Sequence, residues 1–180
     1  YRINLEYALR AIDRGNQIAD HVERHVPIRG AKILDLGCGE GGISIAFALR
    51  GGQVTALDIS AQRIERMKVW ASEHGVAVEG LVADALDTQL AGNEYHIINC
   101  NDVLEHVADG QKLAYEIDRL LKPGGVLFLE TQNRLSIFEF LSDSHLRLFG
   151  ITLLPTRLAA FYVEKVRKRN IWCCNGVNRR

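Results

Sequence analysis

At 180 residues, with 47% hydrophobic and 24% charged residues, the chain is sized for one globular domain with its own core. Its formal net charge is zero but unevenly spread: residues 1–150 carry 15 Lys plus Arg against 21 Asp plus Glu, and residues 151–180 carry 7 against 1. This excludes a chain-wide basic surface for nucleic acid, and no apolar run reaches the length of about 18 residues that a membrane span needs.

The first predicted element is a helix over 5–26, where Leu5, Ala8, Leu9, Ile12, Ile18, Ala19 and Val22 recur at helical spacing before Pro27. His21 and His25 lie four apart on it. They read as surface histidines, because no third ligand accompanies them. An apolar strand, Ala31 to Leu36, then meets a turn carrying Gly37, Gly39, Gly41 and Gly42, and a helix follows to Arg50. Four cysteines (Cys38, Cys100, Cys173, Cys174) contain no Cys-x-x-Cys spacing. Reduced thiols, a cytoplasmic setting and no metal centre are the expectation.

Further strands are predicted at Gln53 to Ile59, Val78 to Ala83, Tyr95 to Cys100 and Val126 to Thr131. Helices are predicted at Ala61 to His74, capped by Ser60, and at about Gly110 to Leu121. Lys122-Pro123-Gly124-Gly125 reads as a turn before the last strand. Residues 132–163 read as helical and unusually apolar, and residues 171–180 as an irregular tail. Strands alternating with helices predict an α/β fold, a doubly wound parallel sheet with helices on both faces. No convincing pair of strands follows residue 133, so the sheet is expected to lack its last two strands.

In such a sheet the ligand crevice lies at the carboxyl ends of the strands, where strand order reverses. Gly37-Cys38-Gly39-Glu40-Gly41-Gly42 fits the G-x-G-x-x-G pattern of adenine-cofactor turns, a weak signal alone. Asp58, 21 positions after Gly37, ends the second strand, where a carboxylate can accept from both ribose hydroxyls. The plainer reading is a carboxylate capping the next helix. Asp84 ends the third strand, as an acceptor for an adenine amino group or as an ordinary loop residue. Asp35 before the turn and Glu40 within it are expected to repel a pyrophosphate and to favour a cationic ligand.

The set resembles the class I S-adenosylmethionine-dependent methyltransferases. The likeness rests on Leu34-Asp35-Leu36-Gly37-Cys38-Gly39-Glu40-Gly41, on Asp58, on Asp84-Ala85, on Asn101-Asp102-Val103-Leu104-Glu105-His106-Val107 and on Leu120-Leu121-Lys122-Pro123-Gly124-Gly125. The Leu104-Glu105-His106-Val107 run is similar to the subgroup that includes ubiquinone-biosynthesis O-methyltransferases.

The resemblance implies a Rossmann-like core at 31–133, an N-terminal helix at 1–30 covering the cofactor site, and an acceptor-side segment at 134–170. It implies S-adenosyl-L-methionine as cofactor. Asp35, Gly37, Cys38, Gly39 and Gly41 would hold its methionine part, Asp58 its ribose, and Ile59, Asp84 and Ala85 its adenine. Asn101, Asp102 and Leu104 would line the pocket near the sulfonium. Tyr1, Arg2 or Tyr7 would close the site.

His106 and Glu105 are the candidate catalytic bases, since imidazole can accept a proton at neutral pH, although both residues also suit a helix start. His145 is a second candidate. If the apolar segment is a lid, it favours a small-molecule or lipid-like acceptor, and Lys165 to Arg169 would meet an anionic head group or a membrane surface. The competing readings are a NAD-dependent oxidoreductase and an inactive cofactor-binding module.

Overall fold

A computed structural model describes residues 2–131 of the chain, with side chains from residue 10 onward. Its elements are α1 (Arg2–Val22), β1 (Lys32–Leu36), α2 (Gly42–Leu49), β2 (Gln53–Asp58), α3 (Ala61–Glu73), β3 (Val78–Val82), β4 (Tyr95–Asn101), α4 (Gly110–Leu120) and β5 (Leu121–Glu130). The chain divides into two compact units, residues 1–104 with 109–130, and residues 105–108 with 131–180. The fold described below is that of the first. The acceptor-side segment, His145, the basic tail and the question of further strands all lie outside the described residues.

The strands form one parallel sheet in the order β3-β2-β1-β4-β5. The order reverses between β1 and β4, as the strand–helix alternation predicts. Because β1 is central, four of its five residues are buried, which explains its apolar run. The steps β1→β2→β3 run one way and β4→β5 the other. Right-handed crossovers therefore place α2 and α3 on one face and α4 on the opposite face.

The core beneath α1 and α2 contains Ile18, Ala19, Val22, Ile33, Phe47, Val54 and Ile97. A neighbouring cluster of Ile45, Ala56, Ile64, Met67 and Ala71 seats α3. Complete burial of a side chain such as Ile33 or Ile97 stabilises the fold by about 1.5–3 kcal/mol each.

Helices α1 and α2 meet backbone to backbone. A Cβ on Gly15 would lie 2.7 Å from Ala46 Cβ, and one on Gly42 would lie 2.5 Å from Ala11 Cβ. This close crossing sets how near α1 comes to the carboxyl ends of the strands.

One boundary departs from expectation. The predicted turn Lys122-Pro123-Gly124-Gly125 lies inside β5, which starts at Leu121 instead of Val126. Tyr95 pairs with Leu121 and Ile97 with Val126, so a bulge absorbs the extra residues. Proline is tolerated there because β5 is an edge strand among the described residues.

Candidate functional site

The turn after β1 folds against the neighbouring strand. Gly37 N–H and Cys38 N–H both donate to Leu57 O, at 2.8 and 2.9 Å. Gly37, Gly39 and Gly41 all have positive φ, of 77°, 56° and 83°. Their surroundings differ. A Cβ on Gly37 would lie 2.3 Å from Val103 Cγ2, and one on Gly41 would lie 2.2 Å from Met67 Cγ. A Cβ on Gly39 would meet nothing within 4 Å. Protein packs two of the three glycines, and Gly39 faces open space.

Asp58 stands beside that space and is 4% exposed. Its Oδ2 accepts from Gly39 N–H at 3.0 Å, its Oδ1 from Ser60 N–H at 2.8 Å, and Arg63 NH1 lies 3.5 Å away. A carboxylate offers about four lone-pair sites, so acceptor capacity remains for a ligand's hydroxyl groups. Ser60 itself accepts from Arg63 N–H and caps α3, so the capping role is shared and Asp58 is not spent on it alone. Next to it, Ile59 is 73% exposed, an apolar side chain left on the rim. Asp58 pairs in register with Val82, which brings exposed Asp84 and half-buried Ala85 to the same edge. Asp84 Oδ1 accepts from Leu86 N–H at 2.9 Å.

Across the strand-order reversal, β4 ends on Asn101. Its side chain is buried, and among the described residues neither its amide nitrogen nor its amide oxygen has a hydrogen-bond partner. A buried unpaired amide is costly, and its place at the strand end fits a group that receives a polar ligand. Asp102 follows with φ 53°, a left-handed conformation unusual for a residue with a side chain. Arg14 of α1 donates to Asp102 Oδ2 at 2.9 Å and pairs with Glu130 Oε1 at 2.9 Å. Val103 closes over Gly37, and half-buried Leu104 lies near Gly110.

Asp35 stands elsewhere. It is 2% exposed, and its oxygens accept from Ser44 Oγ and from Asn99 Nδ2. Burial raises its pKa, while those two hydrogen bonds act against the rise. Asp35 therefore ties β1 to α2 and β4 beneath the turn. Glu40 is paired with Arg66 at 2.6 Å. Arg66 thus balances the charge of Glu40, whereas the hydrogen-bond partners of Asp35 are neutral donors.

Cys38 is also turned inward, its thiol donating to Gly39 O at 3.6 Å. Burial, with the Asp35 and Asp58 carboxylates nearby, pushes its pKa well up. A thiol so held is not a nucleophile.

The second unit holds Glu105 and His106. Within it, Thr131 Oγ1 donates to Glu105 Oε2 at 2.9 Å, and His106 is exposed. His21 and His25 have ring centroids 5.8 Å apart, and His21 also meets Phe128 edge-on at 6.0 Å. Among the described residues no cluster of three His, Cys, Asp or Glu could hold a metal ion. A cavity of about 560 Å³ lies at the amino ends of the strands, lined by Lys32, Gln53, Thr55, Glu79, Glu94 and Tyr95, remote from the residues above.

A family model described as a methyltransferase domain matches residues 34–129. The chain belongs to that family. The match spans this methyltransferase domain from within β1 to within β5, and the parallel sheet is the Rossmann-like one that class I enzymes use. The domain is 34% identical over 117 residues to the ubiquinone biosynthesis O-methyltransferase of Chromobacterium violaceum, covering 64% of this chain and 50% of that protein. The Xylella fastidiosa protein of the same name is 38% identical over 117 residues, covering 64% and 47%. The domain thus spans about half the length of these relatives. Among solved structures, geranyl diphosphate methyltransferase in complex with SAM superposes with a TM-score of 0.57 at 26% identity, covering 63% of this chain and 48% of that one. The family's cofactor is S-adenosylmethionine. The open cradle at Gly39, the spare acceptor sites of Asp58, the apolar rim at Ile59 and the unpaired Asn101 amide fit its amino-acid, ribose and adenine parts.

Three contributors, Arg14, Asn99 and Val103, carry no local sequence signal. Arg14 and Asp102 are 88 positions apart, and Asn99 and Asp35 are 64 apart. Val103 gives no sign of its packing on Gly37. Arg63 was the most readable, at three residues past the Ser60 cap.

Proposed function

We propose that this methyltransferase domain moves a methyl group from S-adenosylmethionine to a hydroxyl oxygen of a small, apolar or lipid-like acceptor. The observation that carries the reading is the line of Gly39, Asp58, Ile59 and Asn101 along the carboxyl ends of β1, β2 and β4. It offers an open backbone cradle, a buried carboxylate with spare acceptor sites, an exposed apolar side chain and an unpaired amide. The names of the relatives support a hydroxyl acceptor, as does their link to ubiquinone biosynthesis for its lipid-like character.

The bound cofactor supplies an electrophilic methyl group. The protein's share is alignment, exclusion of water and removal of the acceptor's proton. Asp58 accepts from the ribose hydroxyls, and its bond from Gly39 N–H ties that grip to the turn. Ile59 and Ala85 cover the adenine, and Asp84 accepts from its amino group. Asn101 turns its amide to the amino-acid end. His106, with Glu105 beside it in sequence, takes the acceptor's proton. No helix among the described residues is long and apolar enough to cross a membrane. Cys38, a free thiol, suits a reducing, cytoplasmic setting. A lipid-like acceptor is then met by peripheral contact with a membrane surface.

Calorimetric titration with S-adenosylhomocysteine and with NAD, followed by labelled-methyl transfer to panels of water-soluble and lipid phenols, tests the proposal. Binding of S-adenosylhomocysteine alone and transfer to phenols are expected. A folded protein that binds only NAD, or that methylates only amines, overturns it.

A further inference from the structure

Arg14 lies on α1, yet its guanidinium reaches the far side of the strand-order reversal and grips two carboxylates at once. Its NH1 is 2.9 Å from Asp102 Oδ2 and its NH2 is 2.9 Å from Glu130 Oε1. These two acids sit at the carboxyl ends of β4 and β5, the neighbours of the sheet's edge. Between them runs a backbone bond, Asp102 N–H to Glu130 O at 3.0 Å. Asp102 is held at φ 53°, a conformation that costs a residue with a Cβ and that persists only when its surroundings determine it. The residue before it is Asn101, with the unpaired amide, and the residue after it is Val103, packed on Gly37. Rotating Asp102 into ordinary space would lift Val103 off Gly37 and re-aim Asn101.

We propose that Arg14 is a positioning residue: by gripping Asp102 and Glu130 it holds the Asn101–Val103 corner in the geometry that receives the cofactor. The grip is directional. A planar guanidinium presents two donor edges in a fixed fork, which a lysine ammonium cannot reproduce. It also offsets part of the negative charge of two carboxylates that would otherwise stand near each other unbalanced. The near contact between Gly15 and α2 seats the neighbouring residue, so Arg14 reaches from a fixed point.

This inference rests on the proposed cofactor reading, and the experiment keeps the two apart. In the full chain, S-adenosylhomocysteine affinity and hydrogen exchange of the Asp102 amide are measured for the wild type, Arg14→Ala, Asp102→Gly and the double variant. Glycine adopts the left-handed conformation without steric cost, so it replaces the grip's purpose without its atoms. Arg14→Ala is expected to weaken binding by about tenfold or more and to speed exchange at residue 102, while the double variant recovers to within about threefold of Asp102→Gly alone. Unchanged affinity and exchange in Arg14→Ala overturn the proposal. So does a double variant that binds no better than Arg14→Ala, because Arg14 then acts on the ligand directly.

If the wild type does not bind S-adenosylhomocysteine, the cofactor reading fails, and exchange at residue 102 still decides whether the grip exists. Should Arg14→Ala not fold, Glu130→Gln removes one arm of the grip. Faster exchange at Asp102 then supports the proposal, and unchanged exchange overturns it.

Discussion

The two sides of the strand-order reversal are built on different plans. On the β1–β2 side the candidate site is assembled from near neighbours. Asp58 accepts from Ser60 N–H and from the adjoining turn at Gly39 N–H, and the turn is bonded to Leu57 O. On the β4–β5 side it depends on a distant helix. The Asn101 amide lacks partners among the described residues, Asp102 is in left-handed space, and Arg14 pairs with Asp102. The first plan makes a rigid grip that exists before a ligand arrives. The second leaves polar groups waiting for one, held in place by a contact that a single substitution can remove.

The largest test of this contrast is at the seam, where Val103 of one side packs on Gly37 of the other. Gly37→Ala adds both left-handed strain and a methyl 2.3 Å from Val103, and should cost about 3 kcal/mol or more in urea unfolding. Gly39→Ala, with open space around it, should cost only about 1–2 kcal/mol of strain while obstructing ligand binding. Equal losses of stability at the two positions would erase the distinction between a packed and an open glycine. Next in size, Asp58→Ala should weaken S-adenosylhomocysteine binding by more than about tenfold, or about 1.4 kcal/mol, in a protein that remains folded. Unchanged affinity in that folded variant would remove the ribose assignment and, with it, the idea of a preformed grip.

The β4–β5 side contains one thoroughly satisfied carboxylate, which supplies an internal control. Glu116 accepts from Thr88 N–H and Oγ1 and from Arg119, and its pKa is lowered to about 2, first by the Arg119 hydrogen bond. Its folded pKa lies below the unfolded value of 4.5. The stability it contributes is therefore fully present above that value and is lost as pH falls toward about 2. Thermal unfolding of wild type and Glu116→Gln should diverge across this window and run parallel above it. A constant difference from pH 2 to 6 would contradict the assignment. The smallest effect is expected at Arg63, which is 57% exposed and 3.5 Å from Asp58. Arg63→Ala should change stability by less than about 1 kcal/mol and leave the Asp58 grip working, as affinity measurements would show.

The contrast also explains what was legible in the amino-acid sequence. β1, β2 and β4 were readable because strands covered on both faces are written as apolar runs. Asp58 and Asn101 were readable as positions at strand ends because position follows from counting along the strand. The depth of Asp35 is not legible, because it depends on Ser44 from α2 and Asn99 from β4, contacts that no local pattern records. The start of β5 was misplaced because Pro123 and Gly124 signal a turn wherever they stand, while the bulge opposite Tyr95 and Ile97 is a property of the pair of strands. Arg14 was missed for the same reason: its partners are chosen by the α1–α2 crossing, not by spacing.

The inward thiol of Cys38 gives the turn a chemical durability of its own. Alkylating agents and peroxides attack the thiolate, and burial near the Asp35 and Asp58 carboxylates disfavours that form here. The cofactor turn thus carries a cysteine without inheriting a redox sensor. Its sulfur is held by Gly39 O and packs against the cluster that seats α3.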